Sequence, residues 1–130
     1  MAEIIEIHDT NAFSAALEAA SKDQEYVIVY ITGTTDPATG KNWCPDCERA
    51  KPNIDNLVLG KTTGKVLKCI VQRSTWSGRS DHPYKQSPLL KAKGVPTLLL
   101  IQGGDQVVMR AERDEDFDNH ELLTMIAEHQ

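Results

Sequence analysis

Residues 26–33 read YVIVYITG, a run of β-branched and aromatic positions with no apolar/polar alternation. A strand with one wet face alternates, because successive side chains point to opposite sides. A strand without alternation has both faces buried, so it belongs inside a sheet that helices cover on both sides. That requirement limits the chain to an α/β architecture with this run as the central strand. At 130 residues, 40% of them apolar, the chain can build one core of that kind. We read residues 1–130 as a single domain.

The flanking pattern agrees. Residues 3–8, EIIEIH, have strand character, and Asp9 or Thr10 can cap a helix whose apolar positions Phe13, Ala16, Leu17 and Ala20 recur at helical spacing. After the central run, Asp36-Pro37 and Gly40 punctuate a loop, and a helix is expected over about 44–59, ending near Gly60. Pro52 lies inside it and should kink it. KVLKCIVQ, 65–72, reads as another buried strand, the polar segment 73–86 as a solvated loop, and PLLKAKG, 88–94, as a short helix. Two antiparallel strands then meet at a tight turn, Gly103-Gly104-Asp105. From about Asp116, Phe117, Leu122, Met125 and Ile126 fall at the spacing of a terminal helix. The order is βαβαβαββα: parallel pairing among the early strands, an antiparallel hairpin later, and a mixed sheet between helices.

Sites in such sheets collect at the carboxyl ends of strands. There, in the loop after the central strand, stand two of the three cysteines, in GKNWCPDCERAKP, 40–52. Cys44 is at a helix start, where unpaired N–H groups and the helix dipole favour a thiolate. Lowering a thiol pKa from about 8.5 to about 7 takes the thiolate share at neutral pH from a few per cent to about half. Pro45 suits the first helical turn, where its missing N–H costs nothing. Cys47, one turn on and further inside, can attack a mixed disulfide on Cys44 and leave a Cys44–Cys47 disulfide. Asp46 suits the helix start but opposes a nearby thiolate, so it tunes the pair and is a hypothetical proton partner for Cys47.

The same Cys-x-x-Cys spacing is half of a tetrahedral zinc site, and it also fits two inert thiols. A zinc site needs two more ligands, and the chain offers Cys69 and the scattered His8, His82, His120 and His129. Cys69, inside an apolar strand, reads as a core residue, and the histidines read as surface residues. An odd count of three cysteines is not a disulfide framework and fits a reducing compartment. The net charge of −5, with no Lys/Arg run, argues against nucleic-acid or anionic-membrane binding. No apolar stretch nears bilayer length and the amino terminus has no secretory pattern, so a cytoplasmic, monomeric protein is expected.

YITG, the long loop, GKNWCPDC and VPTLL together resemble the thioredoxin fold, and within it the Clot-type family of thioredoxin-like proteins, which includes thioredoxin domain-containing protein 17. The resemblance spans nearly the whole chain, and Trp-Cys-Pro-Asp-Cys after a long loop is the specific part. It implies that Cys44 attacks, Cys47 resolves, and Pro96 is a cis-proline beside them; only about one X-Pro bond in twenty is cis, so that isomer rests on the family. The Val95 backbone would then pair with an extended substrate segment. Trp43 would shape access to the site, or serve as a core aromatic beside the helix start. No bound cofactor is implied, only a redox-active Cys44–Cys47 disulfide, with electrons from NADPH through thioredoxin reductase. Expected substrates are small disulfides such as cystine, selected protein disulfides and modified thiols. Thioredoxin has a buried acid on its central strand that handles protons; Tyr30 stands at that position here, leaving the role vacant or to Asp46. The expected activity is therefore a dithiol–disulfide oxidoreductase acting as a reductase. The alternatives are a thioredoxin-fold binding module with regulatory cysteines, or a zinc-stabilised domain.

Overall fold

The computed structural model describes residues 2–129. Five strands, β1 (Glu3–Ile7), β2 (Tyr26–Gly33), β3 (Lys65–Val71), β4 (Thr97–Gln102) and β5 (Gln106–Ala111), form one sheet in the order β1-β3-β2-β4-β5. β3 runs parallel to both β1 and β2, whereas β4 pairs antiparallel with β2 and with β5. The run YVIVYITG is thus the middle strand, and every residue from Val27 to Gly33 is buried.

Its alternate residues divide between two cores. Val27, Val29 and Ile31 pack with Phe13 and Leu17 of α1 (Phe13–Ser21). Ile28 and Tyr30 face Ala50 and Ile54 of α2 (Pro45–Ile54) and Leu123 and Ile126 of the carboxyl-terminal helix. A continuous apolar strand is satisfied only by a layer on each side, and the chain supplies both. Burial pushes the Tyr30 hydroxyl up to about 12, so it stays protonated at neutral pH.

Several boundaries differ from expectation for local reasons. Asp9 caps a 3-10 turn, Thr10–Ala12, and α1 begins only at Phe13. α2 passes through Pro52 and is followed by a wide π-helical turn, Asp55–Leu59, before Gly60. The helix expected over 88–94 does not form. Two single-turn helices precede it instead, α3 (Arg73–Trp76) and α4 (Pro83–Gln86). His82 caps α4 by accepting the Tyr84 N–H at its Nδ1, and Pro83 takes the first helical position. After Pro88 a lone turn is stopped by Lys91, whose φ of 47° lies in the left-handed region.

The segment 73–86 is anchored, not a solvated loop: Trp76, His82 and Tyr84 are all buried and their rings pack edge-on or tilted against one another. His82 is therefore not a surface histidine, and desolvation lowers its pKa. At the carboxyl end a 3-10 turn, Asp114–Asp118, breaks before α5 (His120–Glu128), which Asn119 caps. That break rotates the helix, so Leu123, Ile126 and Ala127 are buried while Met125 is exposed. The hairpin loop uses Gly103 and Gly104, both at positive φ, as its sequence demands.

Candidate active site

The carboxyl end of β2 delivers the chain into the loop 34–42, which folds back on itself. Asp36 N–H donates to the Lys41 carbonyl at 2.8 Å, and Thr35 bridges Asn42 across the loop. The return brings Asn42 and Trp43 against Gly33. A Cβ on Gly33 would stand 2.4 Å from Asn42 Oδ1 and 2.7 Å from the Trp43 ring, so only glycine allows this approach. Gly33→Ala is expected to cost about 1–3 kcal/mol through overpacking, read as a lower urea midpoint with unchanged slope.

Asn42 is the residue that sequence reasoning missed. Its Oδ1 accepts the Cys44 N–H at 3.0 Å, and its Nδ2 donates to the Gly33 carbonyl at 2.7 Å and to Thr32 Oγ1 at 3.4 Å. The Glu48 carboxylate reaches back to the Asn42 N–H. One side chain thus ties the end of the strand to the backbone of the first cysteine. An asparagine two residues before Cys44 is a visible signal, but its partners are set by the loop's return path. Trp43, half-buried, donates from Nε1 to the Val71 carbonyl at 3.0 Å and packs on the α1-side core.

Cys44 is the N-cap of α2, with extended backbone, and Pro45 occupies the first helical turn. The Cys44 sulfur accepts the Cys47 N–H at 3.4 Å and lies 3.4 Å from the Val95 carbonyl oxygen. The Val95–Pro96 peptide is cis. Both cysteines are free thiols, Cys44 6% and Cys47 2% exposed. Burial pushes the Cys47 thiol well above the ordinary range; the Gly33 N–H and the Thr32 hydroxyl oppose that shift, and Cys44 adds to it. The structure thus gathers Trp43, Cys44, Pro45, Cys47, Val95 and Pro96 at one end of the sheet.

Asp46 is placed differently. Its carboxylate pairs with Arg49, which also approaches Asp114 at 3.7 Å, and it lines a shallow depression with Ala50 and Phe117. Cys47 opens elsewhere, onto a cavity that Asp46 does not line. Cys69 is fully buried in β3, as its sequence setting implied, with its thiol pushed up to about 12 by burial. Among the described residues no three His, Cys, Asp or Glu side chains gather as a metal site, and no helix is long and apolar enough to cross a membrane.

This geometry can be set beside known proteins. Thioredoxins from Nicotiana alata and Schistosoma mansoni superpose with a TM-score of 0.61 each at 18% identity, covering 99% and 95% of this chain and 94% and 98% of theirs. That likeness shows the thioredoxin fold. The thioredoxin-like protein Clot of Arabidopsis thaliana is 36% identical over 102 residues, 77% of this chain and 75% of its own. An acireductone dioxygenase of Leishmania infantum is 34% identical over 113 residues, which is 82% of this chain; the chain spans only about a third (32%) of that protein's length. The family model for the thioredoxin domain of thioredoxin domain-containing protein 17-like proteins matches residues 6–129. The chain belongs to this thioredoxin domain-containing protein 17-like family.

Proposed function

We propose that the chain is a dithiol–disulfide oxidoreductase that works as a reductase through Cys44 and Cys47. The observation that carries this reading is the Cys44 sulfur at the α2 N-terminus, accepting the Cys47 N–H and facing the Val95 carbonyl. That sulfur sits among the backbone donors and at the positive end of the helix dipole. Cys44 attacks a substrate disulfide, forming a Cys44–substrate bond and releasing one substrate thiolate. Cys47 then gives up its proton and attacks the Cys44 sulfur, the second substrate thiolate leaves and is protonated, and the pair is left oxidised. Two electrons from NADPH, through thioredoxin reductase, restore both thiols.

The Val95 backbone would hold an extended substrate segment, Trp43 would border its path, and Pro45-Asp46 would tune the pair. Cystine and selected protein disulfides are the proposed substrates, and a monomer in the cytoplasm the proposed setting. The dioxygenase named for the Leishmania relative belongs to a much longer protein and is not proposed for this chain. The test is NADPH consumption with thioredoxin reductase, comparing cystine with an insulin-type protein disulfide. Turnover of cystine, with weaker turnover of the protein disulfide, is expected. No turnover of either would favour the binding-module reading, and stoichiometric zinc in purified protein would favour the zinc-stabilised one.

A further inference from the structure

In the reaction proposed above, Cys47 must lose a proton from a site that is 2% exposed. The sulfur of Cys44 stands on one side of it. On the other, Cys47 forms part of the wall of a cavity of about 270 Å³ that runs out toward the edge of the sheet. Its origin lies in the strand order. α2 packs over β2, but β1 is the edge strand and its α2-side face is uncovered, leaving Ile4 exposed on that face. The same face carries a polar row, Glu6, Lys68 and Tyr30, paired in register across β1, β3 and β2. Glu6 and His8 from β1, Tyr30 and Thr32 from β2, Lys68 from β3 and Lys51 from α2 all border the cavity. Glu6 pairs with His8 at 3.3 Å and Lys51 with Asp55 at 2.5 Å. A cavity of this size with several polar partners can hold water.

Thr32 joins that cavity to the thiol. It is 4% exposed and accepts from Asn42, whose Oδ1 holds the Cys44 N–H. Thr32, Tyr30 and Cys47 border the same cavity, and the Thr32 hydroxyl favours the Cys47 thiolate. We propose that this cavity is the proton port of the resolving thiol and that Thr32 is the catalytic residue that steadies the Cys47 thiolate while cavity water carries the proton out. The step balances: the S–H bond of Cys47 breaks, its proton passes to water and so to solvent, and its electron pair forms the Cys44–Cys47 bond as the Cys44–substrate bond breaks. The departing substrate thiolate takes a proton from solvent. A half-exposed Asp46 facing Arg49 is not needed for this route.

The inference rests on the reductase reading, and one experiment separates the two. A mixed disulfide is formed on Cys44 with a chromogenic aromatic thiol, and its resolution is followed by stopped flow from pH 6 to pH 9. The rate of forming the adduct is measured alongside. Losing a hydrogen bond to a charged sulfur should slow resolution in Thr32→Val by about tenfold or more at neutral pH. The deficit should persist from pH 6 to pH 9, a range that lies below the pKa of the buried thiol, adduct formation should change less than about twofold, and Thr32→Ser should restore the rate. Glu6→Phe, at an exposed edge-strand position that tolerates an aromatic, lays a ring over the cavity mouth. It should slow resolution too while leaving adduct formation within about twofold, so the proposal does not depend on Thr32→Val folding. Wild-type resolution in both variants at every pH would overturn the proton port and leave the reductase reading standing. If the wild-type protein forms no adduct on Cys44, the reductase reading falls, and the port with it.

Discussion

Cys44→Ser is expected to lower NADPH-linked disulfide turnover by more than about a thousandfold, the scale on which loss of a nucleophile acts. The serine hydroxyl does not ionise near neutral pH, so neither the helix dipole nor the Cys47 N–H can raise a useful population of the anion. The substitution is also a clean one. Cys44 is the N-cap of α2 and accepts the Cys47 N–H through its side chain. Serine is among the favoured N-cap residues and accepts the same bond, so helix and fold should be kept. An unfolding free energy within about 0.5 kcal/mol of wild type, with turnover gone, would place the whole effect in the chemistry. Turnover above a tenth of wild type would sink Cys44 as the attacking thiol. A cellular role that survives Cys44→Ser would shift weight to the binding-module reading.

What could be read in advance, and what could not, follows from where the information sits. YVIVYITG fixes a doubly covered central strand because apolar side chains on both faces leave no other solution. The loop after it, followed by a proline at a helix start, sets Cys44 and Cys47 one turn apart by local geometry alone. The segment 73–86 misled because its charged letters outnumber three aromatic rings that meet only in the folded chain: Trp76, His82 and Tyr84 build their own small core. A pattern counted from Phe117 puts Met125 on the buried face of α5, but the break at Asn119 resets the phase and exposes it, while Leu122 and Ile126 stay against the core. Asn42, Gly33 and Thr32 were invisible as functional positions for a related reason. Each acts through a partner that the loop's return brings close, and no spacing in the sequence encodes that path.

Cys47→Ser separates attack from resolution, and a persistent mixed disulfide on Cys44 is its expected result. Attack requires only Cys44, the donors at the start of α2 and the space beside Val95, all of which the variant retains. Resolution requires a second sulfur against the first, and serine cannot supply one. Steady-state turnover should drop by more than about a hundredfold, while one equivalent of substrate thiol is released in a first rapid phase. Intact-mass and peptide analysis should find the adduct on Cys44. Cys69 is the internal control: it is fully buried between the two helical layers, and burial holds its thiol at about 12, so it offers almost no thiolate at neutral pH. Equal adducts on Cys69 would mean that the reactive thiol has been misassigned. Adducts confined to Cys44 but released as fast as in wild type would remove Cys47 from the resolving step, because another nucleophile would have to be reaching the same sulfur.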